Sequence, residues 1–93
     1  MQAVWKFPLG PFDLMEIDMP TGSRVLCVQC QDGAPQLWAL CDVSAPKQTR
    51  VFHIYGTGHT HGAINGEYVG TFQLADGALV FHVFEDVQVN QKN

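Results

Sequence analysis

Apolar and polar residues alternate along this chain in short runs, each closed by a glycine or proline. Over residues 14–19, Met15, Ile17 and Met19 fall on one face and Leu14, Glu16 and Asp18 on the other. That period of two is the pattern of a half-buried strand. Residues 4–9, 24–31, 36–42, 50–55, 67–74 and 79–84 have the same β-branched and aromatic character, which suits a pleated surface. The breaks fall at Pro8, Gly10-Pro11, Pro20-Thr21-Gly22, Asp32-Gly33, Pro46, Gly56-Thr57-Gly58, Asn65-Gly66 and Asp76-Gly77. No run between them is long enough for a well-formed helix, and Pro8 and Pro11 argue against one over residues 3–14. Asp32-Gly33 and Asp76-Gly77 each sit between two strand runs and supply the positive φ of a tight hairpin, although Pro35 cannot donate to the first ladder. The expected fold is all-β: one small antiparallel sandwich or partly open barrel of about seven short strands. It should span residues 1–86. Residues 87–93 form a polar C-terminal tail expected to fray unless a partner takes it up as an edge strand.

Composition narrows the function classes. The chain has 93 residues, five Lys plus Arg, nine Asp plus Glu and a formal net charge of −4. Scattered cations cannot form the basic stripe that nucleic-acid binding needs. The N-terminus lacks the basic head and apolar run of a signal peptide, and no apolar stretch would span a membrane. A cytoplasmic protein is expected. A domain of this size has a thin stability margin and needs a staple. Three cysteines, Cys27, Cys30 and Cys41, cannot form a complete disulfide set within one chain. On a strand the thiols of Cys27 and Cys30 point to opposite faces, so the C-x-x-C spacing reads as buried free thiols. Oligomerisation is the leading alternative staple, and a homo-oligomer is expected.

Candidate chemistry concentrates in one stretch. Residues 50–62 hold three of the four histidines, one of the two arginines and three of the nine glycines. The Gly56-Thr57-Gly58 segment leaves a strand and could wrap an anion with backbone N–H groups. Its spacing matches no dinucleotide or P-loop signature. Arg50, His53, Tyr55, His59 and His61 lie beside these glycines, with Arg24 and Trp38 as more distant candidates for phosphate and ring contacts. His59-x-His61 could also form a metal pair, with a third ligand from His53, His82, Glu67 or Asp76. His53 and His82 fall in otherwise apolar rows, which would face a partner subunit or line a pocket. Ser23 and Ser44 lack a nucleophile elbow, and no catalytic residue, metal or cofactor is assigned.

Several segments occur together in a familiar order: Trp5-Lys6-Phe7-Pro8-Leu9, Leu37-Trp38-Ala39-Leu40, Gly56-Thr57-Gly58-His59, Gly70-Thr71-Phe72-Gln73 and Phe81-His82-Val83-Phe84-Glu85. In this the chain resembles a family of small proteins found mainly in tailed bacteriophages and prophages and catalogued as a domain of unknown function. The resemblance implies a phage accessory protein expressed in the host cell cytosol. The expected function is non-enzymatic: binding a small anionic ligand, such as a nucleotide signal of host defence, and sequestering it. The ligand-binding set is Arg50, His53, Tyr55, Gly56, Thr57, Gly58, His59, His61, Trp38 and Arg24. The alternatives are a protein-interaction or virion-assembly module without a small-molecule site and, third, a metal-dependent enzyme using His59 and His61.

Overall fold

The alternation resolves into seven strands in two antiparallel sheets. The computed structural model describes residues 1–10 and 12–90. The strands are β1 (Gln2–Pro8), β2 (Leu14–Pro20), β3 (Arg24–Gln31), β4 (Ala34–Asp42), β5 (Lys47–Gly56), β6 (Glu67–Leu74) and β7 (Leu79–Glu85), followed by one helical turn, α1 (Val87–Asn90). The first sheet runs β1-β4-β3 and the second β2-β5-β7-β6. Their inner faces pack as a thin sandwich whose shortest principal extent is 16 Å, as two stacked layers require. Met15, Ile17 and Met19 do share the inner face of β2. Met19, Leu37, Ala39, Cys41, Phe52 and Val83 are completely buried at the centre. Among the described residues no helix is long and apolar enough to cross a membrane.

The sandwich closes along one side. Edge strands β3 and β6 meet where Gly70 approaches Val28 so closely that a Cβ there would lie 3.0 Å from the Val28 Cβ. Each of the two strands carries a bulge near this contact, between Val25 and Cys27 and between Tyr68 and Gly70. A bulge sharpens the local twist and bends one sheet toward the other. The Cys30 thiol donates to the Gln73 carbonyl at 3.2 Å across the same seam. All three cysteines are free, and Cys27 lies beside Trp38 on the opposite face of β3 from Cys30.

Both aspartate–glycine turns form. Asp32 and Gly33 have φ of 53° and 78° and make a two-residue hairpin between Gln31 and Ala34, the type I′ geometry. The second turn is wider. Ala75, Asp76 and Gly77 all have positive φ, and the Ala78 N–H closes the loop on the Ala75 carbonyl at 3.0 Å.

One polar knot sits inside an otherwise apolar arrangement. Alternation along β5 turns Arg50 inward with Phe52 and Ile54. Its Nε and Nη2 donate to the Glu85 carboxylate at 2.8 and 2.9 Å, and Nη1 donates to the Ser23 carbonyl. The two side chains keep only 13% and 14% of their surface exposed. The pair ties β5, β7 and the turn before β3 into one unit. The chain after Glu85 differs from the expected frayed tail over residues 87–90. There the Asn90 side chain accepts from the Val51 N–H at 2.9 Å, donates to the Val51 carbonyl at 3.2 Å and donates to Glu85 at 2.8 Å. Its amide thus pairs with β5 as a backbone peptide would, and the helical turn docks on the sheet. Residues 91–93 of the tail lie outside the described residues.

Two stability predictions follow from this packing. Gly66 (φ +110°) lies so close to Glu85 that a Cβ would overlap its carbonyl oxygen, whereas Gly33 (φ +78°) has open space. In chemical denaturation Gly33→Ala should cost about 1 kcal/mol, the left-handed penalty alone, and Gly66→Ala severalfold more. Equal losses would contradict the close approach. Arg50→Ala should cost about 1–3 kcal/mol by leaving the half-buried Glu85 carboxylate to Asn90 alone among its described side-chain donors. The same measurement would contradict the role given to the pair if the loss were within the ordinary surface range of about 0.5 kcal/mol.

Candidate functional site

The outward face of the second sheet is built from the residues that alternation turns away from the core. The strand register sets Leu14, His53, Phe84 and Tyr68 in one row across β2, β5, β7 and β6. Tyr55, His82 and Thr71 form the next row. The rings interlock. His53 stacks on Tyr55 at 6.2 Å and 22°, and Tyr55 meets Phe84 edge-on at 5.7 Å. Phe84 in turn meets Tyr68 at 5.6 Å, while His61 reaches back from the β5–β6 loop to cap Tyr55 at 4.6 Å. The result is a ring platform on a rigid sheet, partly covered by the loop.

A groove of about 600 Å³ opens over this platform, within the size range of small-molecule sites. His53 and Tyr55 line it from the sheet, Asn65 and Glu67 from the loop end, and Asp86 and Gln88 from the start of α1. His53 Nε2 lies 2.9 Å from Asp86 Oδ2. A carboxylate only accepts, so that nitrogen carries the proton. Asp86 Oδ1 accepts from the Val89 N–H at 3.1 Å, capping the helical turn. The hydrogen bond from His53, then that from Val89, hold the Asp86 carboxyl below its ordinary pKa. His53 is thereby fixed in orientation, with Nδ1 as its remaining polar position.

The covering loop is held at both ends. At its start the His59 N–H closes a turn on the Gly56 carbonyl at 3.2 Å. The His59 ring lies over Gly56 so tightly that a Cβ there would be 2.7 Å from it. Gly58 takes φ +83° in the same turn. Thr57 contacts His82 Nε2 at 2.6 Å, and His82 Nδ1 contacts Thr71 at 3.0 Å, itself bonded to Tyr68 at 2.6 Å. Both nitrogens of His82 therefore face hydroxyls, and this histidine clasps the start of the loop to β6 and β7. At its far end Gly66 rests on the Glu85 backbone.

The structure gathers some of the residues expected from sequence and separates others. His53 and Tyr55 line the groove, His61 packs against Tyr55 beside it, and Gly56, Thr57, Gly58 and His59 form the turn that launches its cover. Arg50 does not join them. It is the odd neighbour in the alternation, points into the sandwich and is engaged by Glu85. Trp38 is on the outer face of the other sheet, with the Lys6 ammonium 5.9 Å from its ring centre. Arg24 and the Arg50–Glu85 pair line a second polar cleft of about 570 Å³, with Tyr68 and Glu67. Asn65, Asp86 and Gln88 were missed as site residues, and Glu67 was considered only as a metal ligand. Asp86 carried a usable signal, an aspartate three residues ahead of a helical N–H. The loop residues carried none, because their position depends on the close approach of Gly66. A separate opening of about 410 Å³ lies between the sheets and reaches Ile54, Phe72 and Phe81. Its apolar walls offer nothing to an anion.

Neither a curated protein nor a solved structure matches this chain. A family model does, over residues 1–93, under the description domain of unknown function, DUF7352. With the match spanning its whole length, the chain belongs to the DUF7352 family.

Proposed function

We propose that this protein is a non-enzymatic binding protein whose groove over His53 and Tyr55 takes a small planar anionic molecule of the nucleotide class. The observation that carries this reading is the ring platform, walled by hydrogen-bonding groups and covered by a glycine-pinned loop. A base would stack on Tyr55 and His53, a contact worth about 1–3 kcal/mol. Glu67 and Asp86 suit the amino edge of a base. The His61 imidazole, which caps Tyr55, suits its phosphate. Binding is favoured over catalysis because the groove's lining includes no serine, threonine, cysteine or lysine to act as a nucleophile, and both nitrogens of His82 are engaged by threonines. In the phage accessory setting that the family resemblance implies, the ligand would be a host defence signal, and binding would sequester it in the host cytosol. The second reading, a protein-interaction or assembly module, is favoured by the exposure of Val4, Leu14 and Tyr68 at 55%, 48% and 58%.

Calorimetric titration with a panel of mono-, di- and cyclic dinucleotides separates the two. At least one should bind, and Tyr55→Ala should weaken it about 10–100-fold with the thermal midpoint little changed. Binding that survives Tyr55→Ala, or none across the panel while a protein partner is retained in pull-downs, would favour the interaction module.

The His53–Asp86 contact gives a second test. Carbon-13 NMR titration of the Asp86 carboxyl should show a pKa below the ordinary aspartate value, and His53→Ala should raise it. Because the folded-state pKa is lowered, this pair contributes stability above the unfolded-state pKa and loses it as pH falls through the folded-state value. Asp86→Asn should therefore flatten the acid limb of the stability curve. An Asp86 pKa unmoved by His53→Ala would contradict the contact.

A further inference from the structure

The four sheet edges are not equivalent. Those of β3 and β6 face one another across the seam and are covered. Those of β1 and β2 are on the open side, and the ladder parity shows which backbone groups they present. The Leu9 N–H donates to the Pro35 carbonyl and the Val43 N–H to the Met1 carbonyl. Both are directly opposed pairs in the β1–β4 register. The odd residues of β1 are therefore the hydrogen-bonded ones, and the N–H and C=O groups of Gln2, Val4 and Lys6 point away from β4. On β2 the corresponding bonds, Ile54 N–H to Asp13 and Thr21 N–H to Pro46, leave Leu14, Glu16 and Asp18 as the outward groups.

These two edges differ in protection. An antiparallel β2–β2 pair centred on Glu16 or on Asp18 would set that carboxylate against its own copy, and one centred on Ile17 would set Glu16 against Asp18; like charges directly opposed are destabilising. β1 carries no acidic residue, and its one cation, Lys6, need not oppose itself. Val4 at the centre of the strand is 55% exposed. We propose that β1 is the self-association edge, and that its occupant is β1 of a second copy of this chain, antiparallel about a two-fold axis through Val4. That register places Val4 opposite Val4 and Gln2 opposite Lys6, so no like charges meet. It leaves Pro8, which has no N–H, outside the pairing and satisfies both edges with about six backbone bonds. The two three-stranded sheets become one six-stranded sheet, and the groove on the other sheet stays open in both copies.

Sedimentation of the full chain well above micromolar concentration tests this, with Val4→Lys and Leu14→Lys as a matched pair. Both positions are exposed, and a thermal melt checks that each variant folds. The wild-type chain should sediment as a dimer, Val4→Lys should raise the dissociation constant about tenfold or more, and Leu14→Lys should leave it unchanged. In wild-type protein the Val4 and Lys6 amides should exchange more slowly as concentration rises. A monomeric wild type, a dimer indifferent to Val4→Lys, or one broken by Leu14→Lys would overturn the proposal.

Discussion

The half-buried pair of Arg50 and Glu85 is the constraint on which the rest of the arrangement depends. A guanidinium and a carboxylate largely withdrawn from water are stable only when most of their hydrogen-bonding capacity is met in place. Here the Glu85 carboxylate takes both Arg50 and Asn90, and the third Arg50 contact goes to the Ser23 carbonyl. Meeting those demands fixes three separate segments relative to one another. The ends of β5 and β7 are held in register, the turn entering β3 is drawn against them, and the chain after Glu85 is folded back onto β5.

The groove inherits its geometry from that knot. Asn90 can pair with Val51 only if the chain turns immediately after Glu85, and that turn carries Asp86 beside His53. Gly66 rests on the Glu85 carbonyl, so the same residue also sets where the covering loop ends. One side chain on the inner face thereby positions groove-lining groups on the outer face. This is the behaviour expected of a site built on strands and supported by a fixed shell beneath it.

The strands were legible because period-two alternation and Asp-Gly turns act locally. Residues 24–31 and 67–74 were bounded as observed, and the faces of Met15, Ile17, Met19, His53 and His82 followed from counting alone. The role of Arg50 was not legible. Its proximity to the histidines in sequence suggested a shared site, yet the same alternation that joined His53 to Tyr55 turns Arg50 to the other side. Glu85 lies 35 residues further on, and no local pattern announces the pairing. Nor could residues 87–90 be recognised as ordered, because a polar side chain imitating a strand is a tertiary event. Gly66 looked like one more flexible loop residue. Its need for glycine comes from the Glu85 backbone, which only the fold brings near.

Arg50 therefore acts as a builder of the groove, while the proposed stacking falls to His53 and Tyr55. Nitrogen–proton NMR of the folded chain titrated with a nucleotide panel addresses this division directly, since backbone amides and the Arg50 Nε–H are seen in one spectrum. The account predicts that a binding nucleotide shifts the amides of His53, Tyr55, His61 and residues 65–67 and 86–88, while the Arg50 side-chain signal stays in place. Movement of the Arg50 signal with the groove amides unchanged would contradict it.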